Sequence, residues 1–219
     1  MQWCDLLFAH WRIDAALLRP LIPPALTLDL WQGEAWIGVV PFRMRGVGPA
    51  FLPFGSNFAE LNVRTYVRHG QRAGVWFFSL DAASKVGVRL ARQFFYLPYF
   101  DAQMTVDARG DGFRYASERT HRGAPAARLD MTYAPTGPIA TAQPGTLTDW
   151  LTARHSLYSA DAQGRVYRGD VTHGPWPLQP AEANFTTLEM GFPFPGPPAS
   201  LWFAKHLDVR AGALVRMDG

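Results

Sequence analysis

The clearest pattern along the chain is an alternation in residues 60–67. Leu61, Val63, Thr65 and Val67 fall on one side of an extended strand, and Glu60, Asn62, Arg64 and Tyr66 on the other. His69-Gly70-Gln71-Arg72 then turns the chain. Val75 to Leu80 is apolar on both sides apart from Ser79, as a central strand would be. Asp81 or Ser84 starts a helix that runs to about Phe95, with Asp81 the favoured cap. Ala83, Val86, Leu90 and Phe94 form its apolar stripe, and Lys85, Arg89 and Arg92 the charged one.

The same reading places a strand at Leu6–Trp11 and a short helix after the N-cap Asp14. A turn follows at Trp31–Glu34, then a strand at Trp36–Arg45 with Pro41 marking an edge or bulge. Arg45–Asn57, rich in glycine and proline, reads as a loop. Ala102–Ala108 and Phe113–Thr120 pair around Arg109-Gly110-Asp111-Gly112. Leu129, Met131 and Tyr133 share one face of the next strand. Thr146 or Thr148 caps a second helix. A hairpin spans Leu157–Thr172, Ala181–Thr187 alternates, and Leu201–Arg210 closes the chain after the proline-rich segment 192–198. The sum is an α+β, β-dominated single domain over residues 1–219. It has roughly ten strands in a closed or nearly closed barrel and two or three short helices.

Composition narrows the function classes. The 48% hydrophobic content of 219 residues supports a real core. The net charge of +3 comes almost wholly from arginine, since Lys85 and Lys205 are the only lysines, and it is scattered rather than striped. Nucleic acid is therefore not an expected partner. No apolar run is long enough for a membrane helix and no signal peptide is visible, so a cytoplasmic protein without a membrane partner is expected. The single cysteine, Cys4, reads as a buried thiol and rules out both an internal disulfide and a multi-cysteine zinc site. The six histidines show no metal-ligand spacing, and no nucleophile elbow, phosphate loop or dinucleotide fingerprint is present. Neither metal nor cofactor is expected.

Five stretches carry a family resemblance: Asp5–Trp11, Trp36–Phe42, Glu60–Val67, Val75–Asp81 and Trp176–Glu182. Together they resemble the YqjF-like uncharacterised family, grouped with the acetoacetate decarboxylase-like superfamily. The resemblance implies a β-barrel with a cone-like cavity and implies no activity. The enzyme that names the superfamily forms a Schiff base through one of two adjacent lysines, the second depressing the pKa of the first. By order of elements those lysines correspond to Tyr99 and Phe100, and a phenol forms no imine. Lys85 sits on the charged helix stripe, and Lys205 lies beside His206 without a second lysine nearby.

The candidate ligand-binding residues are Glu60, Asn62, Arg64, Ser79, Tyr99, His10, Trp176 and Gln179. Arg64 suits a carboxylate, and Glu60 would orient it or act as a base. The competing reading for Glu60, Asn62 and Arg64 is a solvated strand face. Ser79 would share a face with Val75, Phe77 and Asp81. A lone histidine such as His10 is more often a satisfied core residue. Tyr99 belongs to an aromatic cluster, and Trp176 and Gln179 to a stiff loop, where packing competes with a lid role. The leading expectation is a binder of a small organic acid or similar oxygenated molecule. Its rivals are a β-keto acid decarboxylase-like lyase using Lys205, and a structural module, with a homo-oligomer as a further partner.

Overall fold

The computed structural model describes residues 1–48 and 55–217, so positions 49–54 of the expected Arg45–Asn57 loop lie outside the described residues. The strands are β1 (Gln2–Ile13), β2 (Thr27–Leu28), β3 (Ala35–Val47), β4 (Ser56–His69), β5 (Arg72–Ala82), β6 (Tyr99–Arg109), β7 (Gly112–Arg119), β8 (Arg128–Pro135), β9 (Ser156–Ala160), β10 (Val166–His173), β11 (Leu178–Glu189) and β12 (Ser200–Arg216). The helices are α1 (Ala15–Leu18), α2 (Lys85–Phe95) and α3 (Leu147–Thr152).

The twelve strands among the described residues belong to one sheet, in the order β10-β9-β5-β6-β7-β8-β11-β12-β1-β3-β4-β2. Two extra pairings, β10 with β12 and β5 with β4, fold that sheet back on itself. The result is a doubled ring and not one clean barrel. β12, β1, β3, β4 and β5 are common to both rings. On one side β9 and β10 close a seven-stranded ring; on the other β6, β7, β8 and β11 close a nine-stranded one. The junctions at β5 are short parallel pairings, Leu80–Ala82 with Tyr99–Asp101 and Val75–Trp76 with Leu157–Tyr158.

The strand period of two divides the shared strands between the rings. Leu7, Ala9, Trp11, Ile37, Val39, Leu61 and Val63 pack with Phe113, Tyr115, Leu129, Met131 and Tyr133 inside the nine-stranded ring. Leu6, Phe8, Val40 and Phe42 pack with Val171, Trp176, Leu178 and Val209 inside the seven-stranded one. The edge or bulge expected at Pro41 is absent from its own strand: β3 lies between β1 and β4 and pairs with β4 in unbroken register through Pro41. The register shift opposite it has its extra residue in β1, which takes five steps from Cys4 to Ala9 against four from Arg43 to Val39. Asp5, in the same stretch, has φ 52°. Its buried carboxylate is held by Arg43 and, at 2.7 Å, by Lys205.

Several local expectations hold. Asp14 accepts from the Ala16 amide at 2.8 Å, Thr146 caps α3, and Arg109–Gly112 closes the β6–β7 hairpin. Two change. Ser84, not Asp81, caps α2, accepting from Gly87 at 3.2 Å; Asp81 lies still within β5, where its carboxylate meets the Arg119 guanidinium at 2.8 Å. Val86 of the expected apolar stripe is 68% exposed while Val88 is buried, so the helix is rotated relative to the pattern read from the sequence. The side chains of Leu90 and Phe94 lie outside the described residues.

Candidate functional site

The polar side of β4 faces the seven-stranded ring and is buried. Glu60, Asn62 and Arg64 are 2%, 5% and 9% exposed, so the solvated-face reading fails. Their direction follows from alternation with Leu61 and Val63, which belong to the other ring. It also follows from contacts: the Arg64 guanidinium lies 5.3 Å from the centre of the Phe8 ring and 5.9 Å from that of Tyr66.

At one end of this wall stands a carboxyl–phenol pair. β6 runs parallel to β5 with Tyr99 beside Leu80, which brings the Tyr99 hydroxyl to within 2.9 Å of Glu60 Oε2, to which it donates. Burial raises Glu60 to about 8, and the Tyr99 hydrogen bond opposes that only in part. At neutral pH the carboxyl is therefore mostly protonated. Burial, with the neighbouring Glu60, also lifts the Tyr99 phenol well above its usual range. From the opposite side of the sheet, the Tyr115 hydroxyl donates to the Glu60 carbonyl at 2.8 Å and fixes the backbone.

At the other end His10, Gly38 and Arg64 lie side by side across β1, β3 and β4. A Cβ on Gly38 would come within 2.9 Å of His10 Cδ2, so glycine leaves the space in which the imidazole lies. His10 Nε2 is 2.7 Å from the Tyr66 hydroxyl, which donates to the Leu151 carbonyl at 2.8 Å. A phenol has one proton and a carbonyl can only accept, so Nε2 carries the imidazole hydrogen and Nδ1 is a bare acceptor. Burial, helped by the Arg64 charge, holds His10 well below its usual pKa and keeps it neutral. Among the described residues Nδ1 has no protein partner, and neither does Asn62 Oδ1 or Arg64 Nε. The Arg64 guanidinium donates to the Leu151 carbonyl at 3.4 Å and lies beside the Tyr66 phenol, and no carboxylate among the described residues faces it.

Not every candidate joins this wall. Ser79 pairs with Val63 and sits on the opposite side of β5 from Phe77, because a bulge between those two residues reverses the alternation. The expected common face of Ser79 with Val75 and Phe77 is thereby lost. Trp176 is buried against Phe8 at 4.8 Å with its indole donating to Thr152, a packing role in the same ring and not an exposed lid. Gln179 donates to the Gly137 carbonyl and pairs with Phe203, away from Glu60 and Arg64. Tyr66 and Gly38 join this site without being among the residues expected from the sequence. Tyr66 shows in the sequence alternation; Gly38 has no signal of its own. No group of three or more metal-binding side chains occurs among the described residues. Lys85 is on the exposed side of α2, and Lys205 is exposed and bound to Asp5.

Comparisons with known proteins agree with this architecture. Residues 1–204 match the model of DUF2071, an uncharacterized conserved protein. The uncharacterized protein YqjF of Bacillus subtilis (strain 168) is 40% identical over 214 residues, covering 94% of this chain and 87% of its own. An acetoacetate decarboxylase-like enzyme from Sphingomonas wittichii RW1 superposes with a TM-score of 0.65 at 14% identity, over 99% of this chain and 92% of its own. Acetoacetate decarboxylase from Legionella pneumophila gives 0.63 at 13%, over 98% and 86%. The enduracididine biosynthesis enzyme MppR complexed with pyruvate gives 0.64 at 13%, over 99% and 89%. At such identities the structural matches establish a shared fold.

Proposed function

We propose that this chain, which belongs to the DUF2071 family of uncharacterized conserved proteins, binds a small organic acid on the Glu60–Asn62–Arg64 wall without a Schiff-base lysine. The observation that carries the reading is Arg64, a buried guanidinium with no carboxylate facing it among the described residues. An uncompensated buried charge costs several kcal/mol, and an anionic ligand removes that cost. The ligand carboxylate pairs with Arg64. Asn62, which alternates between Arg64 and Glu60 on the same strand side, meets an adjacent oxygen. Protonated Glu60, steadied by Tyr99, donates to a carbonyl or hydroxyl. The pyruvate bound by a protein of the same fold is of this ligand class.

The lysine-dependent alternative has weaker support. Tyr99 binds Glu60 where an amine would be needed, and Lys205 is 64% exposed and spent on Asp5. The test is calorimetric titration with pyruvate and with acetoacetate, alongside borohydride trapping read by mass spectrometry. Saturable binding that weakens about 10–100-fold in Arg64→Gln, with no covalent adduct, is the expected result. A borohydride-trapped adduct, or binding indifferent to Arg64→Gln, overturns it.

A further inference from the structure

A cleft lies chiefly on the far side of β5 from the Arg64 wall, with Phe77, the strand partner of Arg64, also in its lining, and its evidence is independent of the reading above. It has a volume of about 1040 Å³ and opens between the 20–24 segment, the α2–β6 turn, the β9–β10 hairpin and the chain after β11. That is the upper end of the roughly 300–1,000 Å³ usual for small-molecule sites. Phe78 and Phe192, with ring centres 4.7 Å apart, form part of its wall together with Trp76 and Tyr158. Leu21 and Tyr96 at its edge are among the few large apolar side chains left exposed.

Three guanidinium groups reach this apolar cleft. Arg119 is fixed: Nε donates to Asp81 at 2.8 Å, Nη1 to the Pro125 carbonyl at 3.2 Å, and its plane lies 4.1 Å from the Phe100 ring centre. Arg165 is bound to Asp161 at 2.6 Å. Arg92 donates to the Tyr99 carbonyl at 2.7 Å and has no carboxylate partner among the described residues. Two carboxylates against three guanidiniums leave one positive charge, located at Arg92. Ser79 and Ser159 also line the cleft, are 5% and 2% exposed, and have hydroxyls without a protein partner among the described residues. Buried hydroxyls without partners are uncommon because each forfeits a hydrogen bond.

We propose that this cleft binds an amphipathic monocarboxylate: an aromatic or alkyl body against Phe78 and Phe192, and one carboxylate at Arg92. An apolar wall with one unbalanced cation selects such a molecule over both a neutral apolar compound and a dianion. The bulge in β5 makes the site separate, since it turns Ser79 and Asp81 away from the side that carries Glu60 and Arg64.

The probe is 3-phenylpropionate, titrated calorimetrically into the full chain. A saturable site is expected that weakens about tenfold in Arg92→Gln and is retained in Arg64→Gln, which removes only binding at the inner wall. Leu21→Glu adds an acid at an exposed edge position and is expected to weaken the probe similarly, so the test survives if Arg92→Gln folds poorly by circular dichroism. Absence of saturable binding at millimolar probe overturns the proposal. So does loss of binding in Arg64→Gln with Arg92→Gln unaffected. Sedimentation showing a dimer that Leu21→Glu dissociates, with no probe binding, assigns the cleft instead to a second copy of the chain.

Discussion

Two sides of the same five strands are built from the same backbone and serve different ends. On the nine-stranded side, Leu7, Ala9, Trp11, Ile37, Val39, Leu61 and Val63 meet an aromatic-rich partner set. Polar atoms there include anchors of the backbone, as when the Tyr133 hydroxyl donates to the Asp5 carbonyl at 2.6 Å. A few at its margin, such as the Ser117 hydroxyl, are unpartnered among the described residues. One residue along each strand, the other side holds His10, Glu60, Asn62, Arg64 and Tyr66, equally buried, with His10 Nδ1, Asn62 Oδ1 and Arg64 Nε likewise unpartnered among the described residues. The first side stabilises the fold through apolar burial. The second costs free energy, because each buried polar atom without a partner forfeits about 1–3 kcal/mol. A costly arrangement held inside a stable frame is what a binding site is expected to be.

Adjacent positions on β4 break or sharpen that contrast most directly. Leu61→Asn puts an amide into the apolar ring and is expected to cost about 4–7 kcal/mol, enough to unfold much of the chain. Asn62→Leu makes the reverse change one residue later. It is expected to leave stability within about 1 kcal/mol of the parent or to raise it, since it removes an unpartnered amide, while weakening organic-acid binding. Urea unfolding of both variants decides the matter. Equal destabilisation makes the polar wall structural and ends the distinction.

The second test uses pH. Glu60 ionises at about 8 in the folded chain against 4.5 as a free group. Between those values the folded state keeps a proton that the unfolded state has lost. Stability therefore falls as pH rises from 4.5 through 8 and levels off above, by about 3–5 kcal/mol in all. Glu60→Gln does not titrate, so its stability relative to the parent should climb over that window. His10 acts in the opposite direction: held well below 6.5, it loses stability as pH drops below 6.5, where the unfolded ring takes up a proton. Unfolding at about pH 5 and about pH 9 checks both signs. A parent and Glu60→Gln variant with parallel pH profiles would show that Glu60 is solvated.

The division between the two sides was legible where the period of two runs unbroken. Residues 60–67 alternate without interruption, and all eight are buried on the expected sides of β4. The alternation misleads at β5, where a bulge at Phe77–Ser79 reverses the side of Ser79 and Asp81; nothing in Trp-Phe-Phe-Ser marks an extra residue. Asp81 is also a natural helix cap by type, and only the long-range arrival of Arg119 shows why it is elsewhere. Trp176 sits among prolines, a local setting that reads as loop, while its burial comes from Phe8 and Trp3 over a hundred residues earlier in the chain. Ring closure was partly readable, since strand count and turn spacing suggest a closed sheet. That β5 would serve two rings depends on pairings as far apart in sequence as Val75 and Leu157.

Gly38 gives a smaller test of the basic end. Adding one methyl in Gly38→Ala forces His10 or β3 to shift, at about 1–3 kcal/mol. If the imidazole is displaced, Tyr66 keeps its bond to Leu151 but loses His10, and the His10 resonances seen by NMR should move while the nine-stranded side is silent. Unchanged His10 resonances would mean that the ring never occupied the space glycine leaves.

Tyr99→Phe is the mildest change and the most specific. It deletes one hydroxyl and leaves the ring that packs at the start of β6. The loss of a single hydrogen bond to a mostly neutral carboxyl costs about 1 kcal/mol. Its diagnostic consequence lies in the titration: the Tyr99 bond lowers the Glu60 pKa, so removing it must push Glu60 above 8. The fall in stability with rising pH should then extend to higher pH than in the parent and become deeper. On the nine-stranded side, Tyr115→Phe also removes a hydroxyl near Glu60, but that hydroxyl donates to the backbone carbonyl. It should lower stability by a similar amount at every pH. Two phenols within reach of one glutamate would thus be separated by the shape of a pH profile. A shift confined to Tyr99→Phe places the ionisable chemistry on the seven-stranded side, whereas identical profiles for the two variants would remove Tyr99 from it.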